Sequence, residues 1–596
     1  MKNFFFSFIS LFLLILGIDS KPLVIYSDPV PNAKYVSINN RIILGFNSEL
    51  DQRTLTSSSV ILVIGEKSGI HEGKIVPLSN QDLILFKPFI PFEFNERVYV
   101  KLNKGVKTTS GTPVGQYSFT FTTQKVKIPW SPTKSIADEM ADVRKYIGNQ
   151  NSNSPLDPPY LTVTISNNPM PGQSFLSNFP FNPNTQNTPY LIIAENTGVP
   201  YVAIQKFGIF FDFKKQPNGN LTYYHGRDSV FYELDVNYNT IDHYVCGNGY
   251  TTDIHELIFL DNGHALLMSY DPQPVDMSKI VSGGNPNAIV IGLIIQELDV
   301  DKNVVFQWRS WDHFQITDPI YINLLDSVID YVHGNAIDRD FDGNILISSR
   351  HLDEITKINR TTGDVIWRLG GRNNQFTFIN DSDRFSYQHG IRRLQNGNII
   401  LYDNGNNHTP PYSRAIEYAL DEQNMTATLV WQYRNNPDIF GPAMGFAQRL
   451  SNGNTFISWG AANPTITEVT PDGKIALEMT LPPGIFTYRA FKDNWNGPQT
   501  IGPGLNDIPL NYSISQNYPN PFNPSTSIKF GLPYNSFVSI KLYDILGREV
   551  ATIANNDFIA GVHIVQFNSS GFPTGVYFYT IIAGDFKESK KMVIVK

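Results

Sequence analysis

Residues 330–371 read DYVHGNAIDRDFDGNILISSRHLDEITKINRTTGDVIWRLGG, and residues 387–405 read YQHGIRRLQNGNIILYDNG. Each stretch turns on an Asp-Gly or Asn-Gly pair between strand-like runs, the strongest short-range hairpin signal. Each also begins with a histidine. His333 lies nine residues before Asp342, and His389 lies seven before Asn396. A third copy, HELIFLDNGHALLMSY, starts at His255, seven residues before Asn262. If Asp342-Gly343 is a two-residue loop, Phe341 faces Asn344 and Asn335 faces Arg350. That brings Arg350 close to His333, because paired Cβ atoms lie roughly 5 Å apart. The same count sets His389 opposite Asn404. One ribbon end therefore carries His, Asn and Arg, and its sibling His and Asn. These groups suit holding an anion and taking it covalently.

The ribbons belong to an irregular repeat over residues 156–497. Turns recur at Asn218-Gly219, Asn262-Gly263, Asp342-Gly343, Asn396-Gly397 and Asn452-Gly453. Behind them recurs a second piece: NVVFQWRS, DVIWRLGG, TLVWQYRN and KIALEMTL. A four-stranded unit of about 45–55 residues is the signature of a β-propeller blade, and about 340 residues make six. The long gap before Asp342 admits two blades, or one with an insertion at 271–290. Equivalent positions of successive blades meet at a central channel, so His255, His333 and His389 are expected to converge. The Asn452 unit has Gly445 in that place, so a histidine is not a general feature of the repeat. Three of only eleven histidines at matched positions favour a site over ordinary strand capping.

Composition agrees with an all-β chain. Aromatics make up 13% of 596 residues, with 43 Gly and 39 Pro to supply turns. A net charge of −8 argues against a nucleic-acid partner, which needs a basic footprint. Cys246 is the single cysteine, so neither an intrachain disulfide nor a cysteine metal site is expected. The apolar run of MKNFFFSFISLFLLILGIDS, residues 1–20, reads as a secretory signal peptide. DRDFDGN at 338–344 superficially suggests a Ca²⁺ loop, but the bidentate Glu is missing at its spacing, and a hairpin turn is expected.

Three segments flank the repeat. Residues 21–125 carry short strand-like runs (RIILGF, SVILVI, RVYVKL, YSFTFTT) and resemble bacterial immunoglobulin-like domains. Residues 126–155 read as a linker holding one modest helical candidate, SIADEMADVRKYI. A Gly/Pro linker at 498–510 precedes residues 511–596. There NYPNPFNPST, YDILGREV and GVYFY with a Lys-rich end resemble the type A C-terminal sorting domain of type IX secretion. That resemblance implies export across the outer membrane to the cell surface or outside, with the type IX machinery as partner.

HGNAID, SSRH, WRLGG, QHGIRRL and YDNG, in that order, resemble the bacterial arylsulfotransferases over roughly residues 190–495. The resemblance implies a six-bladed propeller and ping-pong transfer of a sulfuryl group from an aryl sulfate to a phenol through a sulfohistidine. No nucleotide sulfate donor and no cofactor or metal is implied. By position it makes His389 the sulfated residue, with His255, His333, Asn335 and Arg350 as catalytic partners. Asn404 is assigned to substrate binding only by its pairing with His389, and Arg414 is weaker still. Gly334 and Gly390 depart from the family pattern. Two other classes stay open: a metal enzyme using the channel histidines, and a non-catalytic surface binding propeller.

Overall fold

The computed structural model describes residues 23–55, 60–131, 133–147, 159–180, 189–206, 208–503, 512–532, 536–558, 561–584 and 586–595. The expected signal peptide lies outside them. The described chain is nearly all β-strand. Its α-helices are Thr133–Ile147, called α1 below, and the single turn Ser310–His313. Two compact units divide after Thr123.

The first unit is a sandwich of two antiparallel four-stranded sheets. Its strands alternate as a half-buried sheet should. In Arg97–Leu102, Val98, Val100 and Leu102 point inward and the residues between them point out. These side chains join Phe46, Phe86 and Phe121 in one apolar core.

In the second unit, six sheets of four or five strands follow one another. Their inner strands are Phe210–Lys215, Thr252–Phe259, Gly334–Arg339, His389–Arg393, Phe446–Arg449 and Ala490–Asp493. Each adjoins the next, and the last adjoins the first, so the sheets close a ring. Both ends of the repeat fasten it. Ala490–Asp493 pairs with Gln173–Ser177 as the innermost strand of the first sheet. Thr162–Ser166 pairs with Ile475–Thr480 as the outermost strand of the last. Strands such as Ile345–Ser349 and Ile399–Asp403 are buried along their whole length, because sheets cover both faces. Leu346, Ile355 and Trp367 of one sheet pack with Ile391, Leu401 and Ile416 of the next.

The insertion expected at 271–290 extends a single sheet. Ala265–Val275 and Ala288–Leu298 pair over their full eleven residues, and Val328–Asp330 joins them in parallel.

The hairpins correct the two-residue loop. The Asp340 amide bonds the Asn344 carbonyl, and the Gly343 amide bonds back to Asp340; Leu394 with Asn398, and Leu450 with Asn454, do the same. Three residues therefore form each loop, with Gly343 and Gly397 at φ of 84° and 88°. The third residue shifts the register. Gly334 faces Ser349 and Ala336 faces Ser348, with Asn335 bulged between them; His389 faces Tyr402 rather than Asn404. Residues 338–344 form a hairpin turn whose acidic side chains close on a lysine. Lys357 Nζ lies 2.8 Å from both Asp340 and Asp342.

Residues 512–595 form two further sheets, of three and four strands, over a core that includes Phe530, Leu542, Tyr579 and Met592.

Candidate active site

Measured from the hairpin turns, His255 stands five residues before Leu260, and His389 five before Leu394. The residue five before Asp340 is Asn335, not His333. His333 reaches the same region from two positions earlier, with its backbone at φ 48°, an unusual conformation for a side-chain-bearing residue. All three imidazoles are buried. The rings of His255 and His333 lie 5.4 Å apart.

They converge on a group the sequence reading treated as linker. Glu139, on α1, places Oε1 3.2 Å from Nε2 of His255, 3.2 Å from Nε2 of His333 and 3.6 Å from Nε2 of His389. Its sequence signal is an acidic residue beside buried Met140 and four before buried Val143, on the inward face of the helix.

The hydrogen bonds fix the protons. His255 gives its Nδ1 proton to the Asp253 carboxylate. His333 gives its own to Asp330 Oδ2, at 2.7 Å. Each points Nε2 at a second carboxylate, which only accepts, so both rings carry two protons. Burial alone would lower these two pKa values. Asp253, then Glu139, outweighs it for His255; Asp330, then Glu139, lifts His333 to about 9. Burial would likewise raise Glu139, but the hydrogen bonds from His255 and His333 hold it well below the usual carboxylate range.

His389 differs. Its Nδ1 lies 2.7 Å from Asn404 Oδ1, and the Asn404 amide nitrogen donates to the carbonyls of Gly441 and Met444. The amide orientation is thereby set, and Nδ1 carries the proton. Burial pushes His389 down, Glu139 pulls it up, and Arg350 pushes it down again, to about 4. At neutral pH its Nε2 holds a lone pair, and no hydrogen-bond partner reaches that atom among the described residues.

Arg350 is buried over the Tyr387 ring, 4.5 Å from its centroid. Its Nη1 donates to His351 Nε2 at 2.9 Å, and Nη2 donates to the Pro442 carbonyl at 3.2 Å. His351 Nδ1 in turn donates to the Asp330 carbonyl at 2.6 Å. His351 therefore couples Arg350 to the residue that orients His333, and neither it nor Asp330 or Asp253 stood out in the sequence. Asn335 donates to the Gln388 carbonyl at 2.7 Å, fixing the backbone just before His389. Arg414 is committed to Asp381 and Asp403. Beneath the histidines, Arg489 donates to the carbonyls of His255 and Asn335, both at 2.8 Å, and pairs with Glu256. The two departures from the family pattern have local causes. A Cβ at Gly334 would meet Leu293 at 2.5 Å, and Gly390 sits at φ 71° with Phe446 at the same distance.

The raised pKa of His333 makes stability depend on pH. A folded value near 9 lies above the ordinary imidazole value of about 6.5, so the stabilisation is complete below about pH 6.5. It is lost as pH rises through about 9. Wild type is expected to lose about 3 kcal/mol relative to His333→Gln between about pH 6 and about pH 10, read from urea unfolding. A difference that is flat in pH contradicts the assignment.

Comparison with known proteins gives the family and the flanking domains. The Arylsulfotransferase (ASST) family model matches residues 163–489. A bacterial Ig-like domain matches 19–123, and a secretion system C-terminal sorting domain, which marks the chain for secretion, matches 516–595. Arylsulfate sulfotransferase AssT of Escherichia coli O6:H1, strain CFT073, is 24% identical over 330 residues, covering 44% of this chain and 53% of that protein. The chain thus spans about half the length of that curated relative. Among solved structures, a Bacteroides caccae protein of unknown function is 13% identical with a TM-score of 0.35, over 54% of this chain and 99% of its own. A streptogramin B lyase is 10% identical with a TM-score of 0.31, over 58% and 97%. Neither likeness is close enough to carry an argument. With more than half of its residues matched by the family model, this chain belongs to the arylsulfotransferase family.

Proposed function

We propose that the chain is an aryl-sulfate sulfotransferase that moves a sulfuryl group from an aryl sulfate to a phenol through a sulfohistidine at His389. No nucleotide sulfate donor takes part. The observation that carries this reading is the contrast among three adjacent imidazoles: one neutral with Nε2 exposed to the site, two held as cations. In the first half-reaction His389 Nε2 attacks sulfur, the S–O bond to the aryl group breaks, and the aryl oxygen takes the Nε2 proton of His333. In the second, the acceptor phenol returns its proton to His333, its oxygen attacks sulfur, and the S–N bond breaks. His333, at about 9, is close to a phenol's pKa of about 10, which suits proton exchange in both directions. His255 donates to the sulfuryl oxygens. Arg350 supplies fixed positive charge and helps keep His389 neutral. Asn404 holds the tautomer, and Asn335 positions the backbone.

Replacing Arg350 by alanine removes charge stabilisation but leaves the nucleophile. The expected loss in kcat is about 10²–10³ with 4-nitrophenyl sulfate and a phenol acceptor. A variant within a few-fold of wild type contradicts the role given to Arg350. The sorting-domain match supports delivery by a type IX system to the cell surface or medium.

One observation favours a second reading. Ligand atoms of Glu139, His255 and His333 lie close enough together to share a metal ion. His389 is not part of that set, whereas the transferase reading depends on it. Stoichiometric metal in active protein, with activity lost on chelation, supports the metal enzyme.

A further inference from the structure

We propose that α1 is a built-in plug: its Glu139 carboxylate is seated where the sulfuryl group is transferred, so the site is closed while α1 is in place and opens when α1 withdraws. The inference rests on the reading of His389 as nucleophile and goes beyond it to regulation. Oε1 lies 3.6 Å from His389 Nε2, close to the separation at which a reacting atom must approach. The same oxygen takes the donors of His255 and His333, which in the transferase would serve a sulfuryl oxygen and the aryl oxygen. Carboxylate and substrate compete for one place.

The fit is that of a substitute. Glu139 Oε2 is buried and has no hydrogen-bond partner among the described residues. The large majority of buried side-chain polar atoms in folded proteins have at least one partner. The closure is also complete. Glu139, His255, His333 and His389 are all 1% exposed or less, so an aryl group has no open route to Nε2 with α1 seated. Glu139, Met140 and Val143 are buried on one side of the helix, and Ala137, Ala141, Arg144 and Lys145 are exposed. Ahead of the helix, Trp130 packs on the Tyr270 ring at 5.2 Å, and Tyr270 lies against the rings of His255 and His333. The plug thus has two anchors, one charged and one aromatic.

If only a fraction of molecules is open, the apparent dissociation constant of any anion is the intrinsic one divided by that fraction. Glu139→Gln keeps the shape and removes the charge that holds the plug. The test uses the full chain and inorganic sulfate as the probe. Sulfate is titrated calorimetrically into wild type and E139Q, and hydrogen exchange is followed for peptides covering 133–147. Sulfate is expected to bind E139Q at least about tenfold more tightly than wild type. Saturating sulfate is expected to raise exchange of 133–147 in wild type, a result that needs no variant to fold. Turnover of 4-nitrophenyl sulfate is expected to rise in E139Q. Equal sulfate affinity in the two proteins, or exchange that sulfate leaves unchanged, overturns the plug. A tenfold or greater fall in E139Q turnover overturns it as well and makes Glu139 a catalytic residue. Binding and exchange need no transfer chemistry. Failure of the transferase reading would therefore appear separately, as absent turnover in both proteins.

Discussion

Replacing His389 by alanine is expected to abolish sulfuryl transfer, with kcat falling by at least about 10⁴. The expectation follows from what remains. His255 and His333 keep their carboxylate partners and both Nε2 protons, so they still bind the donor. Neither offers a lone pair to sulfur, because Asp253 and Asp330 keep them protonated. No other imidazole is available nearby, since the Nε2 lone pair of His351 accepts from Arg350. The double displacement then has no covalent stage. Binding should survive: the KM for the donor, or the affinity for a non-transferable aryl sulfonate, should change by only a few-fold. Activity above about one per cent of wild type would remove His389 from the role given to it. Imidazole added to the alanine variant offers a further check, since it can enter the vacated space and restore part of the rate.

The second large effect is expected at His333. His333→Ala should cost about 10²–10⁴ in kcat, the usual range for a general acid or base, but the loss should depend on the leaving group. An acidic phenol such as 4-nitrophenol leaves as its anion with little help. Phenol itself needs the proton. The variant is therefore expected to be far more impaired with phenyl sulfate than with 4-nitrophenyl sulfate, steepening the dependence of rate on leaving-group pKa. An equal loss with both donors would mean that His333 binds or positions rather than transferring a proton. His255→Ala is the contrast. With its Nε2 aimed at the anion, it should affect both donors alike.

Much of this site was legible in the sequence because hairpins are local. Asn-Gly and Asp-Gly pairs mark their turns without reference to the rest of the chain, and counting back from them finds His255 and His389. The count was out by one residue next to the turns, where each loop holds three residues, and by two beyond the bulges at Asn335 and behind His389. A bulge puts two residues of one strand against one of the other, which simple two-strand arithmetic does not include. His389 and Asn404 meet all the same, through side chains reaching across the bulge rather than through direct pairing. His333 illustrates the opposite case. Its match by spacing was loose by two residues, and its convergence depends on a left-handed backbone that its sequence does not announce. Glu139 was illegible for a different reason. Its partners lie 116 and 194 residues away, and a short amphipathic helix carries no mark of what its inward face will meet. Asp253, Asp330 and His351 were missed because they act through another residue, and only geometry separates such a carboxylate from a solvated one.

The proposed reaction requires that sulfur become bonded to His389 Nε2. The most direct measurement gives the protein an aryl sulfate without acceptor, digests it at alkaline pH, where an N-sulfated imidazole is expected to persist, and locates any added sulfuryl group by mass spectrometry. One sulfuryl group per chain is expected, on the peptide containing His389, absent from His389→Ala and discharged by a phenol. A sulfuryl group on a serine, a tyrosine or another histidine, or turnover with no transferable adduct at any stage, would contradict it.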